Sequence, residues 1–211
     1  MNYNHLHALS PCNRVENMEL KSIVAFVVAA LVAFGAYALL SPHQPPAAPP
    51  VYHVHADFAV FLDGSRYNFS QEKYMSGDNR TLSALAHLHD MDGGVLHIHS
   101  KIATLSEFFS SLNMAFNSTC FALDNGSAYC NTDGKTLKML VNGQPNSQFG
   151  LYKPLDLDRI LITYGNQSDA EIASQQSLVS NNSCIYSDKC PERGAPPSEA
   201  SCLTSEGACP P

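Results

Sequence analysis

The sequence predicts a small α+β domain, a sheet with one covering helix, carried behind an N-terminal transmembrane helix and a Pro-rich linker. Three observations support this. Val54, Ala56, Phe58, Val60 and Leu62 alternate with His53, His55, Asp57, Ala59 and Phe61, the two-residue period of a strand with one buried face. Asp63-Gly64 and Asn142-Gly143 supply tight turns beside apolar runs. TLSE at residues 104–107 reads as a capping box, with Leu105, Phe108, Phe109 and Leu112 following at helical spacing.

Residues 1–22 form a cytoplasmic N-terminal segment and residues 23–40 an uninterrupted apolar or small run near the lower length limit for a membrane span. Arg14 and Lys21 precede the run, and no Lys or Arg follows it until Arg66. This asymmetry places the N-terminus in the cytoplasm and the remainder outside. A cleaved signal peptide is the rival reading, with Ala36-Tyr37-Ala38 as a cleavage site. Met18 reads as an alternative start, which would leave His5, His7 and Cys12 outside the native protein. Residues 41–50 (SPHQPPAAPP) are half proline, a stiff extended spacer in which His43 is a solvated linker residue.

Residues 51–166 form a His-rich α+β domain. Six of the nine histidines fall here as three His-x-His pairs: His53 and His55, His87 and His89, His97 and His99. Alternate strand positions share a face, so each pair aims two imidazoles at one point, a metal-binding arrangement. A single pair would be read as polar positions of a half-exposed strand; three pairs, all opposite apolar positions, point to a metal. An odd-length turn at Asp92-Gly93-Gly94, with glycine supplying the left-handed conformation, would set His87 against His99 and His89 against His97, facing outward. A two-residue loop would split the pairs between faces. Asp57, Asp90 and Asp92 are candidates to orient imidazoles through their second ring nitrogen, although Asp90 and Asp92 read equally as turn residues.

The helix at 104–112 should cover the core face of the sheet. Residues 117–134 read as a loop bracketed by Cys120 and Cys130, and strands follow at 136–141 and 159–164. Residues 167–211 are rich in Ser and Pro with little periodicity, a Cys-containing and largely disordered tail, or one held locally by its disulfides.

Six of the seven cysteines follow the membrane segment, which agrees with an oxidising compartment. Spacing leaves their connectivity open; neighbour pairing, 120 with 130, 184 with 190 and 202 with 209, is the simplest. Lys189 and Arg193 make Cys190 the cysteine best placed for a redox role. Sequons at Asn68, Asn79, Asn117, Asn125, Asn166 and Asn181 are compatible with a glycoprotein. The net charge of −7 arises wholly after residue 41, because Arg14, Lys21, Glu16 and Glu19 cancel. With no basic patch carrying aromatics, nucleic-acid binding is not expected.

The run KMLVNGQPNSQFGLYKPLDLDRILITYG resembles the closing part of β-grasp-like domains, in which an Asn-Gly turn precedes a final strand. With HVHADFAVFLDG, AHLHDMDGGVLHIH, TLSEFFSSLNM and CPERGAPP, it also resembles a family of small exported, membrane-anchored archaeal proteins with paired His-x-His motifs, some of them labelled protein-disulfide isomerase. The likeness covers residues 20 to about 202. It implies a β-grasp-like mixed sheet and an extracytoplasmic location. The Cys-x-x-Cys of thioredoxin-like isomerases is absent here.

The expected function is therefore an exported, membrane-tethered metal-binding protein. Its ligands are drawn from His53, His55, His87, His89, His97 and His99. Imidazoles without thiolate or thioether suit Cu(II), Zn(II) or Ni(II) and argue against Cu(I); copper or zinc is expected, copper being preferred. The alternatives are a thiol-disulfide oxidoreductase or isomerase acting through the C-terminal cysteines, and a copper redox enzyme. For the latter, no catalytic acid, base or charged guide stands beside the histidines.

Overall fold

The computed structural model describes residues 12–40, 52–77 and 80–197. The Pro-rich linker with His43, the sequon at Asn79, His5, His7 and a Cys202–Cys209 pair lie outside the described residues. The chain divides into a unit Met1–Ala47 and a unit Ala48–Pro211. The first holds helix α1 (Cys12–Leu40), whose described side chains include exposed Ile23, Phe26, Leu31, Phe34 and Tyr37. Among the described residues no helix is long and apolar enough to cross a membrane; the expected span, residues 23–40, runs past the last described side chain of α1, at residue 37.

The second unit is a mixed α+β domain around a seven-stranded sheet made of β1 (Val54–Leu62), β2 (Ser65–Arg66), β3 (Ala86–His87), β4 (Val95–Ile98), β8 (Thr136–Val141), β9 (Gln144–Pro145) and β10 (Arg159–Gly165). Their order across the sheet is β3-β4-β1-β10-β8-β9, with β2 also paired to β1. β1 and β10 lie parallel at the centre, with Phe58 beside Ile160 and Leu62 beside Tyr164; every other pairing in this sheet is antiparallel. Both expected turns form. Asp63 and Gly64 (φ 50° and 82°) join β1 to β2, and Asn142 and Gly143 (φ 52° and 78°) join β8 to β9, each with the two positive φ values a tight hairpin turn requires.

One face of the sheet is core, as the alternation predicts. Ala56, Phe58, Val60, Leu62, Leu96, Ile98, Ile160 and Ile162 are buried there against helix α2 (Leu105–Ser111). Thr104 caps α2: its side chain accepts from the Glu107 backbone N–H while the Glu107 carboxylate accepts from the Thr104 N–H, at 3.2 and 2.9 Å. The helix buries Leu105, Phe108 and Phe109, and the Phe108 ring meets Phe58 edge-on with centroids 5.6 Å apart. Burying each such side chain contributes about 1.5–3 kcal/mol.

Two stretches depart from expectation. Residues 117–134 are not a simple loop: β5 (Ala115–Phe116), β6 (Cys120–Ala122) and β7 (Ala128–Cys130) form a small antiparallel sheet, with Cys120 directly opposite Cys130 and bonded to it. Phe116 and Phe121 pin this sheet to the core through the Phe109 ring. Strands of two or three residues are too short to show a period, so only packing reveals them.

Residues 167–197 are likewise not a disordered tail. They form α3 (Asp169–Ser177), α4 (Ser183–Tyr186) and a 3₁₀ turn at Pro191–Arg193, and they cover the second face of the main sheet, so the domain has more than one covering helix. Ser168 and Glu171 make a second capping box. Ile172 and Val179 pack on Ala59, Phe61 and Leu161. The Arg159 guanidinium, reaching from β10, donates to the carbonyls of Gln176, Val179 and Ser180 and so fixes the end of α3. Of the expected neighbour disulfides within the described residues, Cys184–Cys190 is formed as well as Cys120–Cys130.

Candidate metal centre

Strand pairing brings the three His-x-His pairs onto one face. In the β1–β4 ladder His55 lies opposite His97, and in the β3–β4 ladder His87 lies opposite the same His97, giving a row of three imidazoles across three strands. His53 falls beside His99, and their rings stack with centroids 4.3 Å apart. The intervening Val54, Ala56, Ala86, Leu96 and Ile98 point the other way, with Ala56, Ala86, Leu96 and Ile98 buried in the core.

The hairpin register differs from the expected one by two residues: the backbone pairs His87 with His97, not with His99. An even shift preserves faces, so all the histidines stay on one side. The left-handed residues are Asp90 and Met91 (φ 55° and 59°), not the glycines. Gly93 is needed for another reason, since a Cβ there would stand 2.3 Å from the backbone of Phe69 and Ser70. Because the chain turns away after Leu88, the rings still meet as expected: His89 with His97 at 3.6 Å between centroids and His87 with His99 at 4.9 Å.

The imidazoles do not face outward. His87 and His97 are 0% exposed, His55 2%, His89 6% and His99 8%; only His53 is half-buried. Their cover is the segment that the sequence left as tail. Asp57, also fully buried, takes Ser180 Oγ (2.5 Å) and the Asn182 N–H (2.8 Å) on one carboxylate oxygen and the Ser183 N–H (3.0 Å) on the other. Asp57 thus anchors the cover instead of orienting an imidazole. The anchored α4 lays the Tyr186 ring edge-on to His97 at 4.8 Å and within 5.6 Å of the His55 ring.

Three histidines have Nδ1 tied to a named acceptor or hydroxyl. His89 Nδ1 is 2.8 Å from Asp90 Oδ2, the orienting role expected of that residue. Asp92 instead behaves as a turn residue, accepting from the Gly94 N–H at 2.9 Å. His87 Nδ1 lies 3.0 Å from the Ser83 carbonyl, an acceptor only, which places the ring proton on Nδ1 and the lone pair on Nε2. His55 Nδ1 lies 2.8 Å from Ser187 Oγ, which donates to Asp156 Oδ1 at 2.5 Å. Sequence reasoning missed Ser83, Asp156, Tyr186 and Ser187, which are far from the His-x-His pairs in the chain or, like Ser83, contribute only a carbonyl. Fixing Nδ1 in this way is how proteins present Nε2 to a metal.

The ligand nitrogens converge most closely at His53, His55 and His97, where all lie within 4.8 Å of one another. His53 Nε2 and His55 Nε2 are 3.1 Å apart. Two nitrogens at that separation, each about 2.0–2.1 Å from one ion, subtend about 100° at it, between the tetrahedral and square-planar values. In the metal-free chain these two nitrogens share a hydrogen bond, so an ion would replace the proton between them, with the His97 ligand nitrogen within 4.8 Å. The triad can therefore hold a metal ion. Comparison with family models, with curated proteins and with solved structures finds no match. Any function must be argued from this geometry.

Proposed function

We propose that the protein is an exported, membrane-tethered protein that binds Cu(II) or Zn(II), with His53, His55 and His97 as ligands. The observation that carries this is the 3.1 Å approach of two Nε2 atoms beside a third buried imidazole, with one of the rings oriented by the Ser187–Asp156 pair. The all-nitrogen triad suits Cu(II) and Zn(II) and disfavours Cu(I). The decisive experiment strips the full chain, purified in detergent, with a chelator and titrates it with each ion. Tight binding that disappears when His53, His55 and His97 are all changed to alanine is expected. Equal binding by the native and variant chains would remove the proposal.

Tethering is supported by the exposed apolar side chains of α1 and by Arg14 and Lys21 on one side of residues 23–40. An extracytoplasmic location is further supported by the two disulfides and by exposure of every sequon asparagine among the described residues, Asn68, Asn117, Asn125, Asn166 and Asn181. Parallel β1 and β10 at the centre of the sheet support a β-grasp-like arrangement, and with the histidine pairs they support kinship with the exported archaeal family. A second reading, thiol-disulfide exchange, is favoured by one contact: Arg193 Nη1 lies 3.2 Å from Cys184 Sγ, where it would stabilise a thiolate. Resistance of the Cys184–Cys190 bond to mild reductant would dispose of that reading.

A further inference from the structure

We infer that the Cys184–Cys190 disulfide is a redox gate on the histidine site: closed, it holds the groups that present His55 to an ion, and its reduction by a dithiol releases them. This rests on the metal-binding reading above and adds the regulation of that site. The bond closes a ring over residues 184–190, and Tyr186 and Ser187, which reach the imidazoles from the cover, lie inside that ring. Tyr186 stands edge-on to His97 at 4.8 Å between ring centroids and 5.6 Å from the His55 ring. Ser187 Oγ is 2.8 Å from His55 Nδ1 and donates to Asp156 Oδ1. Upstream, the cover is anchored by Asp57, whose last contact along the chain is the Ser183 N–H. Beyond that contact α4 has four residues, too few to keep a helical shape without outside support. Buried Cys190 supplies the support from the other end, because its bond to Cys184 returns the chain to the start of α4, where the Lys189 N–H donates to the Cys184 carbonyl at 2.8 Å. Opening the bond restores conformational freedom to the segment that carries Tyr186 and Ser187.

Arg193 makes the bond responsive to reductant. Its Nη1 lies 3.2 Å from Cys184 Sγ, and the same guanidinium donates to the Asn181 carbonyl and to Asn182 Oδ1. A cation at that distance stabilises the Cys184 sulfur as a thiolate, the form in which it leaves when the bond is cleaved. In the exchange the dithiol closes to a disulfide, its two electrons and two protons pass to Cys184 and Cys190, and the Cys184–Cys190 bond breaks to leave two thiols. A disulfide oxidant reverses the step. Oxidised, the chain holds its ion; reduced, it lets the ion go. The cysteine pair and the histidine triad thereby form one device, in which the redox state of the cover sets the affinity of the site beneath it.

The test titrates Zn(II) into the full chain in detergent, with circular dichroism to verify folding. Cys184→Ser with Cys190→Ser opens the ring without leaving a thiol to take the ion, and should bind about 10- to 100-fold more weakly, the range for losing a group that orients a ligand. Cys120→Ser with Cys130→Ser removes the disulfide of the small sheet and should bind as the native chain does. A second arm starts from the folded native protein, so it reads the gate even if the first serine pair does not fold. Dithiothreitol reduces the protein, iodoacetamide caps the thiols, and the same loss of affinity should follow. Without capping, reoxidation by glutathione disulfide should restore binding. Native affinity in the folded Cys184 and Cys190 serine pair, or in the reduced and capped chain, overturns the inference. So does an equal loss in the Cys120 and Cys130 pair, or a Cys184–Cys190 bond that dithiothreitol leaves intact. Failure of the oxidised native chain to bind Zn(II) would instead remove the reading on which the inference rests.

Discussion

The second face of the sheet has two halves under a single covering segment, and they are held by opposite kinds of force. At one end Ala59 and Phe61 of β1, with Leu161 of β10, pack under Ile172 and Val179. At the other, His53 and His55 of the same strand face stand beside His97 and His99 under Tyr186. Between them lie adjacent Asp57 and Arg159, the first binding the backbone and side chain at 180–183 and the second the carbonyls at 176–180. The apolar half gains stability from burial alone. The histidine half is built of polar rings, so an ion bound there would add stability to this half in a way the other half does not offer.

The largest break in this comparison should come at the belt. Replacing Asp57 with alanine leaves two buried N–H groups and a hydroxyl without their acceptor, each costing about 1–3 kcal/mol. We expect a loss of about 3 kcal/mol or more in urea unfolding, together with loss of metal affinity as the cover lifts. A loss below about 1 kcal/mol would show that the carboxylate does not anchor the cover. Ile172→Ala should come next, at about 2–4 kcal/mol from the emptied volume. Its metal content should equal that of the native protein, and a parallel fall in metal binding would mean that the two halves are not independent.

On the proposed function, adding and removing a divalent ion probes the histidine half alone. At free ion about 100-fold above the dissociation constant, binding adds about 2.7 kcal/mol, or about 5–10 °C in melting temperature for a chain of this size. Calorimetry with and without chelator should show this shift in the native chain and in Ile172→Ala, but not in the chain lacking His53, His55 and His97. Equal shifts in all three would place the bound ion elsewhere.

What could be read from the sequence was whatever is local. The alternation through β1, the Asp-Gly and Asn-Gly turns and the Thr104–Glu107 box each place their determinants within a few residues, and each forms as expected. The register of the histidine hairpin did not follow, because it depends on Gly93 docking against Phe69 and Ser70, more than twenty residues earlier. The box at Ser168 and Glu171 was equally present, but DAEIASQQS buries Ile172 as its only large apolar residue and so carries no stripe to announce a helix. That omission hid the cover, and with it the burial of the imidazoles.

The smallest effect tests how finely the cover tunes the site. Ser187 Oγ bridges His55 Nδ1 and Asp156, contacts that span 132 and 31 residues of sequence. Ser187→Ala removes the bridge without touching a ligand nitrogen. The His55 ring loses both its orientation and the carboxylate that raises its basicity, so metal affinity should fall about 10- to 100-fold. Stability without metal should change by about 1 kcal/mol at most, the worth of one hydrogen bond. Ser187→Thr, which keeps the hydroxyl, should recover most of the affinity, whereas a purely steric role would make threonine the worse of the two. Unchanged affinity in the alanine variant would reduce the cover to a lid over the histidines, with no part in presenting His55 Nε2 to the ion.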